Sequence, residues 1–387
     1  MRMGDALSVA HIIHSGGFYG AERVVYDLIQ CQVSAGRVRP VLIDVVDEGL
    51  TESELGRRMR QAGAAPVVAM PTGRGLTRAA LRDYARTLRE LKPDVVHSHG
   101  YKPTVLHVAS RMLRMHDVPL VVTAHGYTLT SPSLKDRVYQ WLDIWMLSRA
   151  DATVAVSSAM ARYLAAQTPS VKARTIPNGM DASIAPSGAH PLRAYLEQHV
   201  PAFAADPATV VVGSAGRLVP MKNHAMLIDV AADLMQRGVP CIPVILGDGP
   251  LRAELEARWR AKLPGMEPLL IPHQHDVLDW MGDMDVYCMP SGPGEGLPMA
   301  LLEAGLLERA VVCTTSGGMA DLIVTRENGM LVDMGDASAF ADAVAELVVN
   351  PTMRTRVGTA LRATIASEYD LATVEQRYAD VYRSVVR

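Results

Sequence analysis

The sequence has little that could hold it together covalently. Its 387 residues include four cysteines, Cys31, Cys241, Cys288 and Cys313, far apart and without a CxxC pair. That excludes a disulfide scaffold and a zinc ribbon and suits a reducing compartment. Aromatic residues are scarce at 5%, with three phenylalanines against 21 methionines, so cores of Val, Leu, Ala and Met are expected. Basic residues are not in excess. Lys and Arg number 38 against 41 Asp and Glu, a formal charge of −3, which argues against a general nucleic-acid binder. No stretch approaches the roughly 18 consecutive apolar residues of a membrane span. The opening MRMGDALSVAHIIHSGG lacks the long apolar run of a secretory leader. These absences predict a cytoplasmic globular protein, with peripheral attachment to the inner face of the membrane left open.

What is present is alternation. At roughly 100–200 residues per domain, the length predicts two domains, or three. Short apolar segments at 7–13, 41–46, 66–70, 94–97, 120–124 and 152–156 read as strands and alternate with helical patterns. Residues 182–208 hold four prolines and little strand pattern. The alternation then restarts at 210–214, 243–246, 269–271, 286–289, 310–313 and 330–332. Buried strands separated by amphipathic helices predict parallel sheets covered on both faces. The expected fold is α/β, with two Rossmann-like domains facing each other across a cleft, where ligands meet the carboxyl ends of the strands. The expected boundaries are 1–187 and 207–367, with a connection at 188–206 and a last helix at 368–387.

Three segments carry chemistry. Ser15-Gly16-Gly17 follows the first strand and precedes a helix, where glycines let backbone approach a phosphate or a sugar. It is not G-x-G-x-x-G, so no dinucleotide fingerprint is present. Taken alone, it reads as a tight strand-to-helix turn. Gly216-Arg217-Leu218, with Lys222-Asn223 after it, sets two cations five residues apart at the top of a strand. They suit a diphosphate clamp or, equally, a solvated surface. The third segment runs from Pro290 to Ala304, a glycine-rich turn leading into a helix that starts near Pro298. Glu295 precedes that helix, and Glu303 lies eight positions on, inside a run of apolar residues. A carboxylate there needs a partner, which ribose hydroxyls would supply.

These segments, with others in order along nearly the whole chain, resemble the GT-B glycosyltransferases, in particular the retaining glycosyltransferase family 4 (glycosyl transferases group 1). The others are Pro93-Asp94-Val95-Val96-His97-Ser98-His99, Thr123-Ala124-His125-Gly126, Val156-Ser157-Ser158, Ile176-Pro177-Asn178-Gly179-Met180-Asp181, Gly247-Asp248-Gly249-Pro250, Met289-Pro290-Ser291, Gly317-Gly318 and Asn328-Gly329. The resemblance implies a role for each matching position. Glu303 would hold the ribose of a nucleotide, with Gly216, Gly296, Leu297 and Met299 beside it. Arg217 and Lys222 would neutralise the diphosphate leaving group. Glu295 would hold hydroxyls of the donor sugar, Gly16 and Gly17 would meet the phosphate or the acceptor, and His125 would contact the sugar near its reactive carbon. The last helix would return to the first domain. The chain departs from the common Glu-Gly-Phe-Gly-Leu-Pro pattern. Pro298 stands where glycine is frequent and offers no N–H, which bears on donor identity.

Other signals are weaker. Asp283-Met284-Asp285 is a D-x-D, read here as a helix end with exposed acids. His97-Ser98-His99 and His273-Gln274-His275 are H-x-H pairs with no third ligand at a matching spacing, so no metal and no other cofactor is expected. Arg78, Arg82, Arg86 and Arg89 share a helix face, and Arg57, Arg58, Arg60, Arg111 and Arg114 add positive charge. A solvated face and an anionic membrane surface both fit them. Trp141 and Trp145 are expected in the core.

The expected activity is transfer of a sugar, with retention, from a nucleotide-diphosphate sugar to a hydroxyl acceptor. The resemblance suggests a uridine nucleotide and a glycan or lipid-linked acceptor. The alternatives are a nucleotide-sugar epimerase of the same fold and a non-catalytic sugar-nucleotide-binding subunit.

Overall fold

The computed structural model describes residues 6–386 apart from 73–76, 127–140, 143 and 275. The chain forms two compact units, one of residues 1–179 with 369–387 and one of residues 180–368. His275 and the start of the tryptophan-bearing helix lie outside the described residues.

Unit 1 is built on seven strands: β1 (Leu7–His14), β2 (Val38–Asp47), β3 (Val67–Thr72), β4 (Val95–His99), β5 (Leu120–Ala124), β6 (Ala152–Ala155) and β7 (Ala173–Thr175). Their order is β3-β2-β1-β4-β5-β6-β7. All pairings are parallel, so both faces need covering and the strands are apolar nearly throughout. One face is covered by the chain's last helix, Leu371–Val385. Val374, Tyr378, Ala379, Val381 and Tyr382 join Leu7, Val9, Val95, Val121 and Val154 in a single buried cluster. Burying each large apolar side chain there contributes about 1.5–3 kcal/mol. Arg37 fastens that helix by donating from Nε to the fully buried Glu375 at 3.0 Å. Gly179 lies so close to Val374 and Leu371 that a Cβ would sit 2.8 Å from Val374, which ties the chain's crossing point to the returning helix.

Unit 2 repeats the plan with six strands: β8 (Val210–Ala215), β9 (Cys241–Leu246), β10 (Leu270–Ile271), β11 (Val286–Met289), β12 (Ala310–Thr314) and β13 (Met330–Val332). The order is β10-β9-β8-β11-β12-β13, again parallel. Both units are Rossmann-like. Residues 188–206 are more structured than a proline-rich connection suggests. They hold the helices Pro191–His199 and Pro201–Ala205, with Leu192, Leu196 and Phe203 fully buried in unit 2. Proline at the first position of each helix removes an N–H that has no partner there, so proline starts these helices instead of breaking them.

The acids of the D-x-D motif are not exposed as expected. Asp283 is buried and accepts from His190 Nδ1 at 2.6 Å and from the backbone N–H groups of Leu192 and Arg193, anchoring the first of those helices. Asp285 accepts from Val211 N and from Arg193. The four cysteines are free thiols. Among the described residues no helix is long and apolar enough to cross a membrane.

Candidate active site

The carboxyl ends of β8 and β11 bring the unit 2 candidates together. β8 ends at Ala215, and Gly216 turns the chain away, with the Lys222 side chain lying 3.8 Å from where a Gly216 Cβ would be. Lys222 Nζ reaches Glu295 Oε1 at 2.8 Å. Glu295 is buried, and its other oxygen, Oε2, has no hydrogen-bond partner among the described residues. A buried carboxylate oxygen left open costs free energy unless a ligand hydroxyl or amide supplies the missing donor.

The loop that carries Glu295 is pinned from behind. Gly317, at φ +56°, packs so tightly that a Cβ would fall 2.2 Å from the Glu295 carbonyl oxygen. Gly318 N donates to the Gly296 carbonyl at 2.6 Å, and Ser316 and Thr314 hydroxyls hold the carbonyls of Gly292 and Ser291. The backbone on either side of Glu295 is therefore fixed, and its side chain does not cap the following helix. The following helix runs Met299–Leu306, with Pro298 as its N-cap and no side-chain cap. Leu297, Met299 and Glu303 are buried on it or at its start. Tyr287 on β11 donates to the Ala215 carbonyl at 3.0 Å, joining the ends of the two strands. Burial pushes its phenol well above the ordinary value, and the nearby Glu303 and Glu295 charges add to that. Arg217 is exposed. His224 opens the next helix, its ring near Gly216. Burial and the Lys222 charge bring its pKa down to about 4, against a pull from the Arg217 backbone.

Unit 1 gathers histidines at the carboxyl ends of β4 and β5. His11 on β1 lies in register with His97 on β4, and His99 lies in register with Thr123 on β5. Side chains alternate along a strand, so His97, His99, Thr123 and His125 point to one face with His11. They meet there. His125 Nε2 is 3.0 Å from His99 Nδ1, and His99 Nε2 is 3.1 Å from His11 Nδ1. His11 Nε2 is 2.8 Å from Gln32 Oε1. His97 bonds Tyr382 OH at 2.8 Å and Thr123 Oγ1 at 2.7 Å. Burial holds His11 and His125 at about 4 and His97 and His99 well below the ordinary value, so all four are neutral at pH 7. His99 and His125 border a cavity of about 360 Å³ with His14, Glu22, Tyr101 and Thr104. Gly17 follows at the end of β1, where Ser15 Oγ holds its carbonyl, and Gly16 has open space around its Cα.

Family models match two stretches that together span most of the chain, Glycosyltransferase Family 4 over residues 18–184 and Glycosyl transferases group 1 over residues 197–364. The chain belongs to glycosyltransferase family 4. Its fold is GT-B. It is a glycosyltransferase acting with nucleotide sugars. Among family 4 relatives, a UDP-Gal:α-D-GlcNAc-diphosphoundecaprenol α-1,3-galactosyltransferase of Escherichia coli is 25% identical over 281 residues, covering 68% of each chain. An α-maltose-1-phosphate synthase of Mycolicibacterium smegmatis is 26% identical over 75% of this chain and 79% of its own. The crystal structure of Anabaena HepE in complex with UDP-glucose matches the fold with a TM-score of 0.80 at 19% identity, over 98% of this chain and all of that one.

The structure gathers the candidates Gly216, Lys222, Glu295, Gly296 and Glu303 at the carboxyl end of the unit 2 sheet, and separately the candidates Gly16, Gly17 and His125 at the carboxyl end of the unit 1 sheet. Two expectations change. Trp141 is 64% exposed and not core. The H-x-H pair of β4 has a third histidine beside it, His11. Strand register, invisible in a single sequence, makes that neighbour. Each of the six ring nitrogens of His11, His97 and His99 has a hydrogen-bond partner. Tyr287, His224, Gln32 and Tyr382 are further residues of these two strand ends that sequence reading missed.

Proposed function

We propose that the chain is a retaining glycosyltransferase that works without a metal, takes a UDP-linked sugar, and passes it to a hydroxyl of a lipid-linked or polysaccharide intermediate. The observation that carries this reading is the Lys222–Glu295 pair, with Glu295 Oε2 buried and open at the carboxyl ends of β8 and β11. Parallel α/β sheets bind ligands at that edge. A cation and a half-satisfied carboxylate in contact suit a ligand that is anionic on one side and rich in hydroxyls on the other. A sugar diphosphate is both. A uridine nucleotide as the donor carrier and a diphosphate-linked lipid as the acceptor are supported by the names of HepE's complex and of the Escherichia coli relative.

In the reaction the C1–O bond to the diphosphate breaks, leaving negative charge on the β-phosphate oxygen and positive charge on the sugar ring. Lys222 and Arg217 stabilise the first charge. Glu295 and His125 hold the sugar. The acceptor oxygen bonds to C1 on the face the diphosphate leaves, and its proton passes to the departing phosphate oxygen. No protein nucleophile is required, so the carboxylate spacing rule for glycoside hydrolases does not apply to Glu295 and Glu303.

The test is thermal stabilisation of the purified chain by UDP, GDP and ADP and their glucose conjugates, with and without EDTA, followed by NMR of the transferred product. A shift with UDP alone, unchanged by EDTA, and an axial product linkage from an axial donor support the reading. Stabilisation by another base, EDTA sensitivity or an inverted product would each overturn the corresponding part.

A further inference from the structure

The hydrogen-bond chain on the buried face of unit 1 has a direction, and the direction ends at His125. Gln32, on the helix Gly20–Ala35, donates from Nε2 to Tyr382 OH at 3.3 Å, so Oε1 faces His11 Nε2 at 2.8 Å. An amide oxygen only accepts, so His11 carries its proton on Nε2. A neutral imidazole with Nε2–H has an acceptor at Nδ1. His11 Nδ1 therefore accepts from His99 Nε2–H at 3.1 Å. By the same rule His99 Nδ1 accepts from His125 Nε2–H at 3.0 Å. His125 is left with an unprotonated Nδ1. That atom is buried and has no hydrogen-bond partner among the described residues, on a residue that borders the 360 Å³ cavity. The far side of the network is consistent. Tyr382, having accepted from Gln32, donates to His97 Nδ1, and His97 donates from Nε2 to Thr123 Oγ1 at 2.7 Å.

We propose that Gln32 is a positioning residue that sets the tautomer of His125 through His11 and His99, so that His125 offers Nδ1 as an acceptor to a hydroxyl of the bound substrate. This rests on the sugar-binding role of His125 proposed above. Gln32 lies three hydrogen bonds from the His125 ring and, fully buried, is not among the residues that line the cavity. Its effect is transmitted because every imidazole between them is neutral and buried, so each has one donor and one acceptor to offer. With the Gln32 amide reversed, every proton in the row would move to Nδ1, and His125 would present a donor in place of an acceptor. Exposed histidines would exchange tautomers through water. The histidines behind His125 are sealed from it, with His11 and His97 at 0% exposure and His99 at 3%.

The experiment uses the full chain labelled with nitrogen-15 histidine and reads ring nitrogen shifts at neutral pH, with kcat and KM for the donor measured beside them. In the wild type, His11, His99 and His125 are expected to share the Nε2–H pattern. Gln32→Leu should mix the tautomers of all three and lower kcat about tenfold, with a smaller change in KM, as loss of an orienting partner does elsewhere. His107, whose ring bonds Tyr84 OH and the Val118 carbonyl in a separate cluster of unit 1, is the internal control for folding and should not change. A wild-type His125 protonated on Nδ1, or charged, overturns the proposal. So does a Gln32→Leu chain with altered kcat and unaltered tautomers. Zinc added alone to the wild type should leave the His11, His97 and His99 signals in place, and their displacement would replace the relay with a metal site. If the tautomers are as stated but no sugar is transferred, the donor reading fails and the Gln32 assignment stands.

Discussion

Lys222 and Glu295 come from loops 73 residues apart and meet at 2.8 Å, with the ammonium as the one hydrogen-bond donor, among the described residues, to an otherwise unsatisfied, buried carboxylate. That asymmetry makes a prediction. Lys222→Met leaves Glu295 buried and unpaired, which costs about 3–5 kcal/mol where both charges are sequestered and less here, since Lys222 keeps 18% exposure. The Lys222→Met/Glu295→Gln double variant removes both charges and should regain most of the lost stability without regaining transfer. Denaturant midpoints for the two variants check this, and equal midpoints would refute the coupling.

Arg217 behaves differently because it is exposed. Arg217→Ala should leave the melting temperature within a degree or two of wild type. Its cost should fall on the step that builds charge on the leaving diphosphate, about 10²–10³ in kcat, the typical loss for one group that stabilises a developing oxyanion. A steady-state assay at saturating donor separates this from weaker binding. An unchanged kcat with a raised KM would assign Arg217 to ground-state binding only.

Gly317 tests how the Glu295 loop is held. The backbone there needs a positive φ, and a Cβ would meet the Glu295 carbonyl at 2.2 Å. Gly317→Ala should cost about 1–3 kcal/mol from strain alone and shift Glu295 off the site. Activity should fall further than stability does, because the loop must retreat to admit a methyl group. Gly335→Ala, also at positive φ but with open space around it, is the comparison and should lose stability while keeping turnover.

Much of the architecture was legible because parallel strands buried on both faces are uniformly apolar, and β8, β9, β11 and β12 each stand out between turn residues. The carboxylates of the site were legible for a related reason. Glu303 in the run Met299-Ala300-Leu301-Leu302 breaks an otherwise apolar helix, and such a break is seen without a structure. What was not legible depends on register and on distant returns. His11 becomes the neighbour of His97 only because β1 lies beside β4. Tyr382 becomes their partner only because the chain comes back to unit 1 after 189 residues of unit 2. Asp283 looked like an exposed acid because the helix it anchors was hidden by its own prolines. Trp141 looked like core because its spacing is helical, and spacing does not say which side of a helix faces solvent.

The histidines also predict how the protein fails in acid. Burial lowers the pKa of six of them in unit 1. His11, His116 and His125 come to about 4, and His97, His99 and His107 lie well below the ordinary value. Among the described residues of unit 2 only His224 is lowered in this way. The unfolded chain protonates a histidine near pH 6.5, while the folded chain refuses the proton until much lower pH. Stability from these groups is therefore complete above about pH 6.5 and is lost as pH falls toward about 4, at about 1.4 kcal/mol per pH unit for each histidine involved. The Asp47 and Glu54 carboxylates act in a different window. Hydrogen bonds from His14 and from Arg57 hold them below their ordinary values, so their contribution fades only below about pH 4. Between about pH 6.5 and 4.5 the loss should thus fall on unit 1. Hydrogen exchange followed by peptide mass analysis resolves the two units in one sample. Peptides from β4, β5 and the helix Leu371–Val385 should lose protection first, while those from β8 and β11 persist. Loss in unit 2 first, or in both units together, would mean that these histidines are reached by solvent before the sheet opens.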